Sequence, residues 1–277
     1  MTLDSYALLR QASFGLMDQL AIDSLPGNLP KHVLCPVWFR GDENLLPALV
    51  NLRDLGPSQA EVLLDDFDSA RKSRQTPAVT QLLVTDADEA VLRRHLAHYL
   101  TIRHNHKPAL FRYYDARVLQ QLTWMLTVVQ LNELLGPIER LAYWVGGEWH
   151  ALDNTGEKQP GPRIDAQRIA RIGAINEIVG DADRPGREVL LETSCGAEAA
   201  LIRAEKHGLT DEDDRIAFAR HVVSVHPRLD AHPTVAALLK SAEKGNPYRD
   251  AAALLSDGDW QRIVQELEHT ATTRTVQ

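Results

Sequence analysis

The sequence predicts an α+β fold: an N-terminal mixed α/β lobe with a small sheet, followed by an all-α C-terminal lobe. Three observations carry this. Through residue 152 helical and strand patterns interleave without a clean βαβ repeat. Asp153 to Pro162 then reads DNTGEKQPGP, with neither apolar periodicity nor bulk. Beyond it almost every segment has helical spacing. The expected organisation is therefore a lobe over 1–152, a linker over 153–162 and a helical lobe over 163–277.

Taken in order, Tyr6–Leu9 is a short apolar run, and FGLMDQLAIDSL reads as a helix ended by Pro26, Gly27 and Pro30. HVLCPVWF and LLPALVNL read as strands around the turn GDEN. Pro36 and Pro47 confine them to sheet edges or strand ends. Ser58 to Glu61 fits a capping box opening a helix to about Arg74, and VTQLLVT is a compact strand. Asp86 or Asp88 caps DEAVLRRHLAHYLTI, with Val91, Leu92, Leu96 and Tyr99 on one face. ALFRYYD reads as an aromatic strand. ARVLQQLTWMLTVVQLNELL is one helix stopped by Gly136-Pro137, its core face carrying Leu119, Leu122, Leu126 and Val129. IERLAYWV and EWHALD flank Gly146-Gly147, a hairpin with a primed turn.

In the second lobe the helices are DAQRIARIGAINEIV, REVLLETSCGAEAALIRAEKHG, DEDDRIAFARHVVSV, HPTVAALLKSAEKG, YRDAAALLSDG and DWQRIVQELEHT. Gly208, Gly245 and Gly258 sit where C-caps belong, and Asp211 and Asp257 or Asp259 where N-caps belong. The tail after His269 is expected to fray.

Composition narrows the function. The 277 residues carry 30 Lys+Arg against 38 Asp+Glu, a net charge of −8. Split near Gln159, each half holds 15 basic and 19 acidic residues, so no basic half tracks a phosphate backbone and no nucleic-acid partner is expected. Apolar runs are too short to span a membrane, and MTLDSYALLRQASFG has no charged segment followed by an apolar stretch as a secretory signal would, so a cytoplasmic protein is expected. Cys35 and Cys195 are far apart, as suits a reducing compartment, and Cys195 reads as a small buried residue.

No catalytic constellation emerges. There is no GxGxxG, Walker loop or GxSxG, so neither a cofactor nor a nucleotide is implied. Asp65-Asp66 and Asp211 to Asp214 read as solvated carboxylates, the latter suited to a helix N-terminus. His95, His98, His104 and His106 invite a metal, but no carboxylate or cysteine lies between them and Arg93, Arg94, Arg103 and Lys107 oppose a dication. That stretch reads as a helix face running into a polar turn. A metal-dependent hydrolase using His95–His106 stays as the competing reading, with no metal assigned. His226-Pro227 and His232-Pro233 are turn and helix-start punctuation.

At Phe111 to Leu119 the chain reads FRYYDARVL. It resembles the type VI secretion adaptor/chaperone proteins (Tap/Tec type), which carry a strand-to-helix motif of the form F-R-[FY]-[YF]-D-P-R-V-L. Phe111, Arg112, Tyr113, Tyr114, Asp115, Arg117, Val118 and Leu119 match, and Ala116 replaces the usual Pro. Tyr6–Leu9 corresponds to the family's opening strand, and Pro47–Val50 to its short P-[YW]-L-V strand. His95-Leu96 matches the helix before the motif, and Gly136-Pro137-Ile138 the turn after it. The resemblance spans roughly residues 3–152, and His232-Pro233 is like an HP-containing helix of the family's variable C-terminal part.

The resemblance implies a bacterial, cytoplasmic, non-catalytic loader. Its partners are one cognate toxic effector and the VgrG spike, with no cofactor, nucleic acid or membrane. An immunity protein that binds a toxin is a further alternative. Arg112, Tyr114, Asp115 and Arg117 are the partner-binding or motif residues. Asp115, where strand meets helix, can accept an N2 or N3 amide. On a strand, Arg112 and Tyr114 share one face. Arg117 can reach Asp115 or a partner carboxylate. An internal capping and salt-bridge knot and a direct partner contact both fit these residues.

Overall fold

The computed structural model describes residues 3–19, 29–73, 75–104, 107–157, 165–180 and 187–275. The fold is α+β, with a six-stranded antiparallel sheet in the N-terminal half and helices in the C-terminal half. The chain divides into two compact units, Met1–Ile169 and Ala170–Gln277. Of the expected linker, residues 158–162 lie outside the described residues.

In the first unit the elements run α1 (Ser5–Gln11), β1 (Phe14–Asp18), β2 (Lys31–Val33), β3 (Pro47–Asn51), α2 (Pro57–Ser73), β4 (Val79–Val84) and α3 (Glu89–Tyr99). There follow β5 (Thr101–His104), β6 (Lys107–Leu110), α4 (Ala116–Met125), α5 (Val128–Leu135), β7 (Arg140–Val145), β8 (Glu148–Asp153) and α6 (Ala166–Ala170), the last reaching the unit boundary. The large sheet has the order β2-β3-β1-β4-β7-β8, and β5-β6 is a separate hairpin.

The opening residues reverse the sequence expectation. Tyr6–Leu9 is helical, because the Asp4 carboxylate caps the Ala7 amide at 3.0 Å. FGLMD is a strand between β3 and β4. Buried on both faces, it lacks the alternation that marks a half-exposed strand. The Pro26-Gly27 stop lies outside the described residues, as does Arg74. In α2 there is no Ser58–Glu61 capping box: the helix opens at Pro57, and the Gly56 amide donates to the Gln59 side chain at 2.9 Å.

One sheet face is sealed by α1 and α2. Leu8, Leu9, Leu63 and Phe67 pack there with Met17, Val50, Leu82, Trp144 and Trp149. The hairpin is as the sequence predicts: Gly146 and Gly147 take φ of 66° and 90°, the paired positive values of a primed turn. This register places Trp144 opposite Trp149, their rings 5.2 Å apart, with Phe67 5.1 Å from Trp149. Such edge-to-face pairs add about 0.5–1.5 kcal/mol each beyond burial.

Two further expectations change in the middle of the chain. The single helix over 116–135 is two. Thr127 and Gln130 form a reciprocal capping box that restarts the chain as α5, while Leu126 turns extended. Leu126 and Val129 are accordingly half-buried rather than core. On α3, Leu92 and Leu96 are buried, Tyr99 is half-buried and Val91 is exposed.

The second unit contains α7 (Ile172–Gly180), α8 (Arg187–Lys206), α9 (Glu212–Ser224), α10 (Pro233–Ala242), α11 (Tyr248–Ala252) and α12 (Asp257–Thr275). Ala197, Ala200 and Ala204 let α8 approach α9, and Leu201, Phe218, Leu239, Tyr248 and Ile263 fill the core. Asp211 caps α9 as expected, whereas α12 is capped by a reciprocal pair, Ser256 with Asp259. Gly258 is therefore inside a first turn and not a C-cap. The residues after His269 continue as helix to Thr275. Cys195 is exposed, not buried.

Candidate functional site

The segment FRYYDARVL leaves β6 and enters α4, but Phe111 to Tyr114 is not a strand. The Asp115 amide closes a turn on the Arg112 carbonyl at 2.9 Å. Side chains, not a neighbouring strand, satisfy the next carbonyls: Gln81 Nε2 donates to Tyr113 O at 2.9 Å and Thr80 Oγ1 to Tyr114 O at 3.3 Å. The aromatic run misleads because its rings are used as anchors. Tyr113 is fully buried and donates its hydroxyl to Leu96 O at 2.9 Å; burial pushes that hydroxyl far up, and nearby Tyr114 adds to the shift. Tyr114 reaches Leu45 O at 3.1 Å.

On this turn the four expected residues come together. Asp115 caps α4, accepting the Arg117 amide at 3.0 Å, and Arg117 returns a two-pronged bond, Nε to Oδ1 at 3.1 Å and an Nη to Oδ2 at 2.8 Å. Arg112 approaches the same carboxylate at 3.9 Å and lies over the Tyr114 ring at 5.7 Å. So Arg112 and Tyr114 do share a face, through a turn and not through strand alternation.

The electrostatics follow from this packing. Burial alone would raise the Asp115 carboxyl. The Arg117 hydrogen bonds and charge, with Arg112 behind, outweigh it and hold the carboxyl below its ordinary range. Burial raises the Tyr114 hydroxyl, opposed by Arg112 and reinforced by Asp18 and Asp115. Asp18, at the end of β1, thus adds negative charge near both Tyr114 and Arg117. Sequence reasoning missed Asp18 because it was read inside a helix.

What remains outward is cationic and partly apolar. The Asp115 side chain is 13% exposed, while Arg112 and Arg117 are 53% and 72% exposed. Leu45 lies beside Tyr114 and is also exposed. Near neutral pH the carboxylate stays charged and the phenol protonated, so the cluster presents two anchored guanidinium groups beside a ring. Such a surface recognises carboxylates and planar groups through fork-shaped hydrogen bonds and stacking.

The histidine stretch is not assembled in the same way. His95 Nε2 bonds the Leu134 carbonyl at 2.9 Å, and its ring fills the space where Gly136 would carry a Cβ. Burial, opposed by that bond and aided by the His98 charge, lowers its affinity for a proton. His106 and the His104 side chain lie outside the described residues. Among the described residues no three His, Cys, Asp or Glu are placed to hold a metal. His232 acts as N-cap of α10, its Nδ1 accepting the Thr234 amide at 3.2 Å. Asp66 is half-buried and accepts the Ala78 amide at 2.9 Å, so it is not the solvated carboxylate expected. Asp214 is likewise buried, accepting the Arg249 amide at 3.0 Å. No helix among the described residues is long and apolar enough to cross a membrane.

A family model described as a domain of unknown function (DUF4123) matches residues 17–133. The match begins in β1, contains the whole turn from Phe111 to Leu119, and ends within α5. Neither a curated protein nor a solved structure matches the chain.

Proposed function

We propose that this protein is a cytoplasmic adaptor of a bacterial type VI secretion system, which binds one toxic effector and hands it to the VgrG spike without catalysis of its own. The observation that carries the reading is FRYYDARVL lying inside a DUF4123 match, a domain known in type VI effector adaptors. The geometry adds a physical reason for binding at this place. Arg112 and Arg117 are fixed by Asp115 and Tyr114, so little side-chain entropy is lost when a partner carboxylate docks. A stable complex of this kind buries about 1,200–2,000 Å². That is more than the turn offers, so the surface is a focus within a wider contact.

The test is co-expression with the effector encoded beside the gene and with VgrG, followed by co-purification. The native protein retains the effector. The R112A/R117A variant folds, since both side chains are exposed, and retains less of it. Replacing residues 163–277 with those of a related adaptor redirects effector choice. A native protein that retains neither neighbour would overturn the reading.

A further inference from the structure

Away from the Arg112–Arg117 turn, the first unit contains a cavity of about 760 Å³, within the range of about 300–1,000 Å³ typical of ligand pockets. It opens where α3 and α5 end and β7 begins. Tyr99, Pro137 and Ile138 supply an apolar wall, and Glu133, Glu139 and Glu157 supply carboxylates. Among the described residues no lysine, arginine or histidine lines it. Among the described residues none of these three carboxylates has an ion-pair partner.

The wall is built rather than incidental. Asn132 donates to Thr155 Oγ1 and Glu157 O, at 2.9 and 3.0 Å, and accepts the Thr155 amide. Asn154 donates to Gly136 O and Ile138 O, at 3.0 and 3.1 Å, and accepts the Gly156 amide. Both carboxamides are therefore spent on holding the segment 154–157 against the end of α5. A braced cavity whose exposed carboxylates have no cationic partner among the described residues, beside an apolar wall, selects a ligand with positive charge on an apolar stem. The carboxylates are not gathered as metal ligands. The Tyr99 hydroxyl reports the same field, being raised by burial and then by the Glu133 charge.

We infer that this cavity takes the arginine or lysine side chains of an extended basic segment of the protein partner. The inference rests on the adaptor reading and deepens it: the cationic turn meets a partner's acidic or planar groups, and this cavity meets its basic ones. A partner then needs both charge patterns at the right separation. Charge complementarity of that kind sets register and excludes wrong partners.

Two arms test it. In the first, the probe is a fluorescein-labelled peptide, Gly-Arg-Leu-Arg-Leu-Gly, with a twin carrying Glu for Arg, read by fluorescence anisotropy. The basic peptide binds and the acidic twin does not. The E133Q/E139Q/E157Q variant binds the basic peptide roughly tenfold or more weakly. D65N/D68N, which removes exposed charge from α2, binds it as the native protein does. Equal binding by a folded triple variant, or an equal loss in D65N/D68N, overturns the inference, since attraction is then only to net charge. Tighter binding by K158A/R163A overturns it as well, by assigning the cavity to the chain's own basic residues. In the second arm, effector capture is compared between native protein and triple variant. Equal capture refutes this cavity's role and leaves the adaptor reading standing. No capture by the native protein, with the peptide result intact, refutes the adaptor reading and leaves the cavity's chemistry.

Discussion

Replacing Asp115 separates its structural role from a partner contact. In Asp115→Ala, α4 loses the acceptor for the Arg117 amide, which costs about 1 kcal/mol. The two-pronged bond from Arg117 is lost as well, but that side chain is 72% exposed, so it adds less than about 1 kcal/mol. The total is about 1–2 kcal/mol. For a unit the size of Met1–Ile169 that lowers the melting temperature by roughly 2–8 °C. Asp115→Asn keeps an oxygen for the amide and loses only the charge, so it falls less. Thermal unfolding followed by tryptophan fluorescence suits the measurement, because Trp38, Trp124, Trp144 and Trp149 all lie in this unit and only Trp260 lies in the other. The pH dependence has a definite sign. The folded carboxyl is depressed below 3.8, so its contribution is present above that value and is lost as pH falls through the folded one. The gap between native and D115A therefore closes in acid. An unchanged melting temperature in D115A, together with lost effector binding, would refute the capping argument and make Asp115 a contact.

Other perturbations have equally definite directions. Gly136→Ala forces a Cβ into the His95 ring at a φ of 56°, and destabilises the first unit by about 1–3 kcal/mol in urea unfolding; H95A on that background recovers only the steric part. In the primed turn, G146N is nearly neutral while G147V costs about 1–2 kcal/mol in the same assay, purely from backbone strain, since no atom stands near either position. His221 is lowered by burial and then by Arg220, with Tyr248 at 3.1 Å and the Trp260 ring tilted against it at 4.7 Å. The unfolded chain takes its proton near pH 6.5 and the folded one only below that. Stability of the second unit therefore drops as pH falls below about 6.5, and H221F flattens that slope in pH-dependent urea denaturation followed by Trp260 fluorescence in a W38F/W124F/W144F/W149F background.

What the sequence disclosed depended on whether local chemistry or tertiary burial decided the outcome. Gly146-Gly147 was legible because two positive-φ positions in succession admit little else. Asp115 was legible as a cap because a short acid before a helix has one local use. The break between α4 and α5 had a readable signal in Thr127 and Gln130, hidden because apolar spacing continues across it. β1 was not legible: it is buried by β3 and β4, and its apolar run fits a helix as well as a central strand. The turn at Tyr113-Tyr114 was misread because aromatic residues favour strands, and the side chains of Thr80 and Gln81 that bond its carbonyls come from over thirty residues away. The cavity beside Glu133 was invisible for the same reason, since its carboxylates come from α5, the bend before β7 and the segment after β8.

The strand order β2-β3-β1-β4-β7-β8 has a consequence for how the chain is made. Leu16 must meet Gln81, and Gln81 must meet Tyr143, before the sheet is whole. Helix contacts in the second unit are instead largely between neighbours in sequence, such as α7 with α8, α8 with α9 and α10 with α11. Long-range pairing slows folding, whereas local packing permits microseconds to milliseconds. So the unit synthesised first is the slower folder, and β1, which can already pair with β3, waits with its other edge open for β4 to leave the ribosome. A nascent chain stalled between Asn51 and Val79 carries an open apolar edge on β1, and that interval is when this protein most needs a holding chaperone of its own.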